Sequence, residues 1–104
     1  MATTLTIGSP KRLALGTTTE AVTIPRNARY IRIEALSHDV VLAMTGTDGG
    51  ALAADYETYP QKAIYMRSVP GAKGQGRHDA DTVIYVAVSS GSGSVALTAM
   101  YEGA

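Results

Sequence analysis

The chain has 104 residues, nine basic and nine acidic, with no Cys, Trp or Phe. That length predicts one domain spanning 1–104 with one core, burying somewhat under about 70% of the unfolded surface. The balanced charge argues against a general nucleic-acid or membrane-surface binder, whose usual footprint is a basic excess, and the lack of Cys excludes a disulfide framework and a thiol-ligated metal.

The opening MATTLTIGSPKR has neither a basic n-region nor an apolar h-region, so no secretory signal is read in it. No apolar run reaches the length that spans a bilayer as a helix, and a soluble protein is expected. Its large apolar side chains must be Leu, Ile, Val, Met and six Tyr, in a chain that also carries eleven Gly. A thin core of that kind makes a marginal monomer, for which self-association is a natural remedy.

In chain order, residues 3–7 alternate with Leu5 and Ile7 on one face, and Gly8-Ser9-Pro10 ends the run. Residues 1–10 are a candidate N-terminal arm. Lys11 to Leu15 alternates again, with Leu13 and Leu15 inward. Val22 and Ile24 mark the core face of a strand over 20–24, which Pro25 closes because it cannot donate to a ladder. From Ala28 to Ala35 the period of two is clear: Ile31, Ile33 and Ala35 point one way, Tyr30, Arg32 and Glu34 the other. Arg32 and Glu34 are placed to pair with each other or with a neighbouring strand. Residues 39–44 are apolar on both faces, which predicts a central or covered strand.

Residues 45–61 then read as a long irregular segment, in which Ala51 to Ala54 is the one plausible helical turn. Lys62 to Val69 reads as a strand stopped by Pro70-Gly71, followed by a second loop over 71–81. Thr82 to Val88 is apolar on both sides and β-branched, favouring a buried strand over a helix. Residues 89–93 read as a hairpin connection to a last strand, Ser94 to Tyr101, with Val95, Leu97, Ala99 and Tyr101 on one face. About eight short strands with no amphipathic helix predict an all-β fold, a single antiparallel β-sandwich or jelly-roll-like domain.

Sites of chemistry are sparse. Gly71 to Arg77 has the glycines of a phosphate loop, but it leads into a strand, whereas such loops feed a helix N-terminus. His78, Asp79 and Asp81, even joined by His38 and Asp39, match no metal-ligand spacing, and Asp is an expected turn residue. The His-Asp pairs come with no Ser or Cys placed as nucleophile. Thr47 to Gly50 lacks the carboxylate series of a calcium loop. No catalytic, metal-binding or cofactor-binding residue is assigned, and an enzyme is not expected. The tyrosines are more informative: Tyr30 and Tyr85 sit on strands, Tyr56 and Tyr59 in the long loop. Tyr is enriched at protein interfaces and is also a good strand former. Together with Arg32, Glu34, Lys73 and Arg77, these four tyrosines make the candidate interface set.

From Leu15 to Tyr101 the chain resembles small β-sandwich virion proteins of tailed bacteriophages, of the head decoration (cement) or tail-fibre type. The resemblance lies in the lead-in LGTTTEAVTIP, the strand NARYIRIEAL, the strand DVVLAMTG with its Gly-rich tip, and the closing TVIYVAVSSGSGSVALTAMYE. It implies a structural role: a capsid decoration or cement protein stabilising the head through contacts with major capsid subunits or other virion proteins. The resemblance further implies a homo-oligomer, a trimer being one form, assembled in the host cytoplasm; from the balanced charge, no nucleic-acid or membrane partner is expected. The alternative is a tail-fibre or appendage module that binds a receptor or carbohydrate through Tyr56, Tyr59 and the 71–81 loop.

Overall fold

Alternating apolar and polar side chains fold into strands in the computed structural model, which describes residues 3–26, 28–62, 64–69 and 82–100; among these described residues there is no helix. In chain order the strands are β1 (Thr3–Thr4), β2 (Lys11–Leu15), β3 (Glu20–Ile24), β4 (Tyr30–Ala35), β5 (Val40–Ala43), β6 (Glu57–Tyr59), β7 (Ile64–Ser68), β8 (Thr82–Val88) and β9 (Gly93–Met100). They form a five-stranded sheet, β1-β3-β8-β5-β6, and a four-stranded sheet, β2-β9-β4-β7. Among the described strands every strand pairing is antiparallel except the short parallel match of β1 with β3, and Ile7 adds an isolated parallel bridge to Ala99.

The pairing is nested. β2 pairs β9, β3 pairs β8, β4 pairs β7 and β5 pairs β6, as in one long hairpin folded between β5 and β6. Rolling that hairpin up brings β9 beside β4 and β8 beside β5 as well. Strands that alternate between two packed sheets in this way have jelly-roll connectivity. The predicted β-sandwich or jelly-roll-like domain is therefore the fold.

The core lies between the sheets. Val22, Ile24, Ile31, Ile33, Val40, Leu42, Ile84, Val86, Val95 and Leu97 are all fully buried. Each such side chain is worth about 1.5–3 kcal/mol relative to exposure, so short strands still yield one continuous core. The predicted inward faces of β2, β3 and β4 are the observed ones, with Leu13, Leu15, Val22, Ile24, Ile31 and Ile33 buried.

Three expectations change. Residues 89–92 are not a hairpin turn: β8 and β9 belong to different sheets, so this segment is a corner between layers. It is tied to the 36–39 corner by Ser94 N–H donating to Ser37 Oγ (2.9 Å) and Ser89 N–H donating to the Asp39 carbonyl (3.1 Å). Ala51 to Ala54 forms no helical turn, since four residues give too few hydrogen bonds to offset nucleation. Tyr59, assigned to a loop, ends strand β6.

Both long sides of the sandwich are closed. On one, residues 3–9 cross between the sheets: β1 pairs β3, Leu5 is buried, and Gly8 N–H donates to the Ala99 carbonyl at 2.8 Å. This part of the candidate arm lies against its own sandwich. On the other, β6 and β7 face each other across the core. Their connection turns through Lys62, a left-handed residue at φ 68° held by its N–H bond to the Ala35 carbonyl at 2.7 Å.

Candidate interaction surface

The outer face of the four-stranded sheet carries the residues that the pattern of β4 singled out. Antiparallel register sets them in rows across the strands: Arg12, Ala96, Glu34 and Ile64 in one, Thr98, Arg32 and Met66 in the next, Met100, Tyr30 and Ser68 in the third. Arg32 Nη1 donates to Glu34 Oε1 at 3.3 Å, the within-strand pairing expected, with both side chains 34% exposed. Ile64 and Met66 complete the face, each 54% exposed. Sequence reading missed these two. In KAIYMRSV both alternating sets contain apolar residues, and the apolar Ile64/Met66 set looks like the inward one. Arg67 strengthens that choice, because the alternation puts its charge on the face with Tyr65; in the fold that face is the inward one, where Glu57 receives the guanidinium.

That inward-facing set closes the β6–β7 side. Arg67 Nε and Nη2 donate to Glu57 Oε1 and Oε2 at 2.7 and 2.6 Å, a bidentate pair. The Tyr59 hydroxyl donates to the same carboxylate, and the Tyr59 and Tyr65 rings meet edge to face at 5.1 Å. Tyr59 also packs against the core. The arrangement is a clasp between the two sheets, so Tyr59 is a structural tyrosine and not an exposed loop side chain.

Electrostatics follow the contacts. The hydrogen bonds from Arg67 hold the Glu57 carboxyl below its ordinary range, with burial opposing and the Tyr59 bond assisting. Burial first, and the bond to Glu57 second, push the Tyr59 phenol well above its usual value. Because the folded-state Glu57 pKa is depressed, its stabilisation is present above the ordinary carboxylate range. It is lost as pH falls through the depressed value. Arg67→Met is expected to destabilise the domain at neutral pH by up to about 1 kcal/mol, discounted because the pair is part-exposed. The deficit should shrink as pH drops through the acid range, as urea midpoints from neutral to acid pH will show.

The outer face of the five-stranded sheet is different. Ala21, Val41, Ala43 and Ala87 point outward by register yet are buried. The segment after β5 crosses here: Gly46 lies over the Tyr85 ring, where a Cβ would approach Cγ to 3.3 Å. The segment then docks on the start of β3. Asp48 Oδ1 accepts from Ala21 N–H (2.9 Å), Gly49 N–H donates to the Thr19 carbonyl (2.6 Å), and Thr19 N–H and Oγ1 donate to the carbonyls of Gly50 (2.9 Å) and Thr47 (2.7 Å). The bond from Ala21 is the leading reason that the Asp48 carboxyl titrates below its usual range. This strap covers part of the outer face of the five-stranded sheet, beside the paired residues Ala43 and Tyr85, and it leaves Tyr85 half-covered.

Tyr56 is 50% exposed beside a shallow hollow of about 240 Å³, lined with Leu42, Met44, Asp55 and Glu57. Tyr30, Arg32 and Glu34 thus share one face, while Tyr56, Tyr59 and Tyr85 belong to three other settings. Lys73, Arg77, His78, Asp79 and Asp81 lie outside the described residues. Among the described residues no group of three or more His, Asp or Glu side chains is placed to hold a metal ion. No protein-family model, curated protein or solved structure matches this chain.

Proposed function

We propose that the chain is a structural virion protein of a tailed phage, a decoration or cement protein that stabilises the head through contacts with major capsid subunits. The observation that carries this reading is the mixed face of the four-stranded sheet, where Tyr30, Arg32 and Glu34 stand with exposed Ile64 and Met66. Aromatic, Arg and Met side chains beside apolar ones compose the centres of protein interfaces. The jelly-roll connectivity adds support by analogy, since this architecture recurs in viral capsid and lectin domains. The resemblance from Leu15 to Tyr101 supplies the phage context. The receptor-binding alternative loses one of its residues, because Tyr59 is locked into the clasp with Glu57 and Arg67.

Purified heads lacking the protein should take it up to a fixed stoichiometry and gain thermal or osmotic resistance. The double change Tyr30→Ala with Arg32→Glu should leave the unfolding free energy within about 1 kcal/mol of the parent, because it breaks only part-exposed contacts. The same change should weaken head binding at least about tenfold, an interface loss near 1.4 kcal/mol. Heads equally stable with and without the protein, or a label confined to the tail tip, would overturn the reading.

A further inference from the structure

We propose that β7 is a docking edge for a second copy of this chain, paired antiparallel about a two-fold axis at Met66. The argument begins with the sheet edges, which folded proteins usually blunt against pairing by shortness, charge or proline. Among the described strands, three of the four sheet edges are blunted. β1 has only two residues, β6 has three and is followed by Pro60, and β2 follows Pro10 and opens with Lys11 and Arg12. β7 runs five residues, Ile64 to Ser68, with no proline; its one charge, Arg67, is drawn to Glu57 across the sheets, and Ile64 and Met66 are exposed.

Backbone register adds a second, independent observation. Val69 N–H donates to the Arg29 carbonyl at 2.8 Å, on the same register that pairs Arg67 with Ile31 and Tyr65 with Ile33. In an antiparallel ladder alternate residues bond to the same neighbour. Tyr65 and Arg67 therefore bond to β4, and the N–H and C=O groups of Ile64, Met66 and Ser68 point to the edge, which no described strand occupies. The Ser68 carbonyl also accepts from Arg67 Nη1, which leaves Ile64 and Met66 as the main open groups. The residues with outward backbone groups are thus the ones whose apolar side chains are exposed.

A second copy satisfies this edge in one register. Met66 is the midpoint of the strand, so an axis there overlaps the whole strand with its copy. Met66 then pairs with Met66 of the copy, and Ile64 with the copy's Ser68, through reciprocal N–H to C=O bonds. A two-fold contact is isologous and closes, as in most homodimers. Arg67 falls opposite the copy's Tyr65, whereas an axis at Arg67 would oppose two like charges. On the outer face, the rows holding Arg32 and Glu34 would continue into the copy's sheet, doubling the four-stranded layer.

The proposal stands apart from the virion reading, because the isolated protein tests it. Wild-type protein is expected to sediment at dimer mass, and Met66→Lys to sediment as a monomer with an unchanged far-UV spectrum. In the described register the two Met66 Cα atoms lie about 5.5 Å apart, within the roughly 4.4–6.8 Å that a disulfide spans. Since the chain has no cysteine, Met66→Cys should give a cross-linked dimer under mild oxidation. Ala14→Cys, exposed on β2 at the far side of the same sheet, should stay uncross-linked. A monomer at the highest soluble concentration overturns the proposal. So does a dimer that survives Met66→Lys, or one in which Met66→Cys fails to cross-link. A monomer whose head binding is lost with Met66→Lys would instead assign the edge to a capsid strand.

Discussion

Ile33→Ala should destabilise the domain by about 2–5 kcal/mol, the range for truncating a buried Ile to Ala. Ile33 is fully buried on β4, opposite Leu97 on β9 and Tyr65 on β7. Its loss would open a cavity at the middle of the four-stranded layer, where the strands on both sides are held by their own ladders and cannot collapse inward. Domains of this size have only about 5–15 kcal/mol in total, and each kcal/mol moves the melting midpoint by about 4–8 °C. A fall of at least about 8 °C is expected, read by thermal denaturation. Met66→Ala on the same sheet, at a side chain 54% exposed, should change isolated-monomer stability by less than about 0.5 kcal/mol. A loss at Ile33 no larger than that at Met66 would mean that the core is not where the sheets place it.

Gly46→Val is the second large effect, about 1–3 kcal/mol of backbone strain alone. Gly46 has φ 151°, a conformation that side-chain-bearing residues rarely adopt, and its missing Cβ leaves room for the Tyr85 ring. A β-branched residue there would strain the backbone and push the strap off Tyr85. Detachment would uncover Ala21 and Tyr85, the outward-facing residues that Asp48 and Gly46 lie against. The expected signature is a lower melting midpoint with new protease cleavage confined to 44–56. An unchanged midpoint and intact chain would show that the strap contributes nothing to the sheet beneath it.

Much of the fold was legible because a strand's period of two is a local signal, strong wherever one face is buried and the other wet. β4 is the clearest case: its sequence YIRIEA alternates half-buried and buried along its whole length. β5 was legible for the opposite reason, its apolar residues on both faces matching cover on both sides. What the pattern could not show was which strands share a sheet. A turn such as SSGSG can join two strands of one hairpin or carry the chain from one layer to the other, and the choice depends on distant pairings such as β3 with β8. The candidate face was half legible for a related reason. Tyr30, Arg32 and Glu34 stand out on their own strand, but Ile64 and Met66 become part of that face only through the register of β7. Tyr59 could not be separated from Tyr56 by sequence either, because what distinguishes it is a carboxylate and a guanidinium brought from two strands.

The nested pairing also sets an order of events on the ribosome. β3 waits for β8, and β2 for β9, so neither of the first long strands can find its partner until nearly all of the described chain has been made. At about 5–20 residues per second, that interval lasts seconds. Throughout it the apolar β5, Val40 to Ala43, has only the three-residue β6 to pair with. Non-local β topologies then close in milliseconds to seconds once the last strand is available. Nascent chains of this protein should therefore be most prone to chaperone capture or aggregation between the synthesis of β5 and the release of β9.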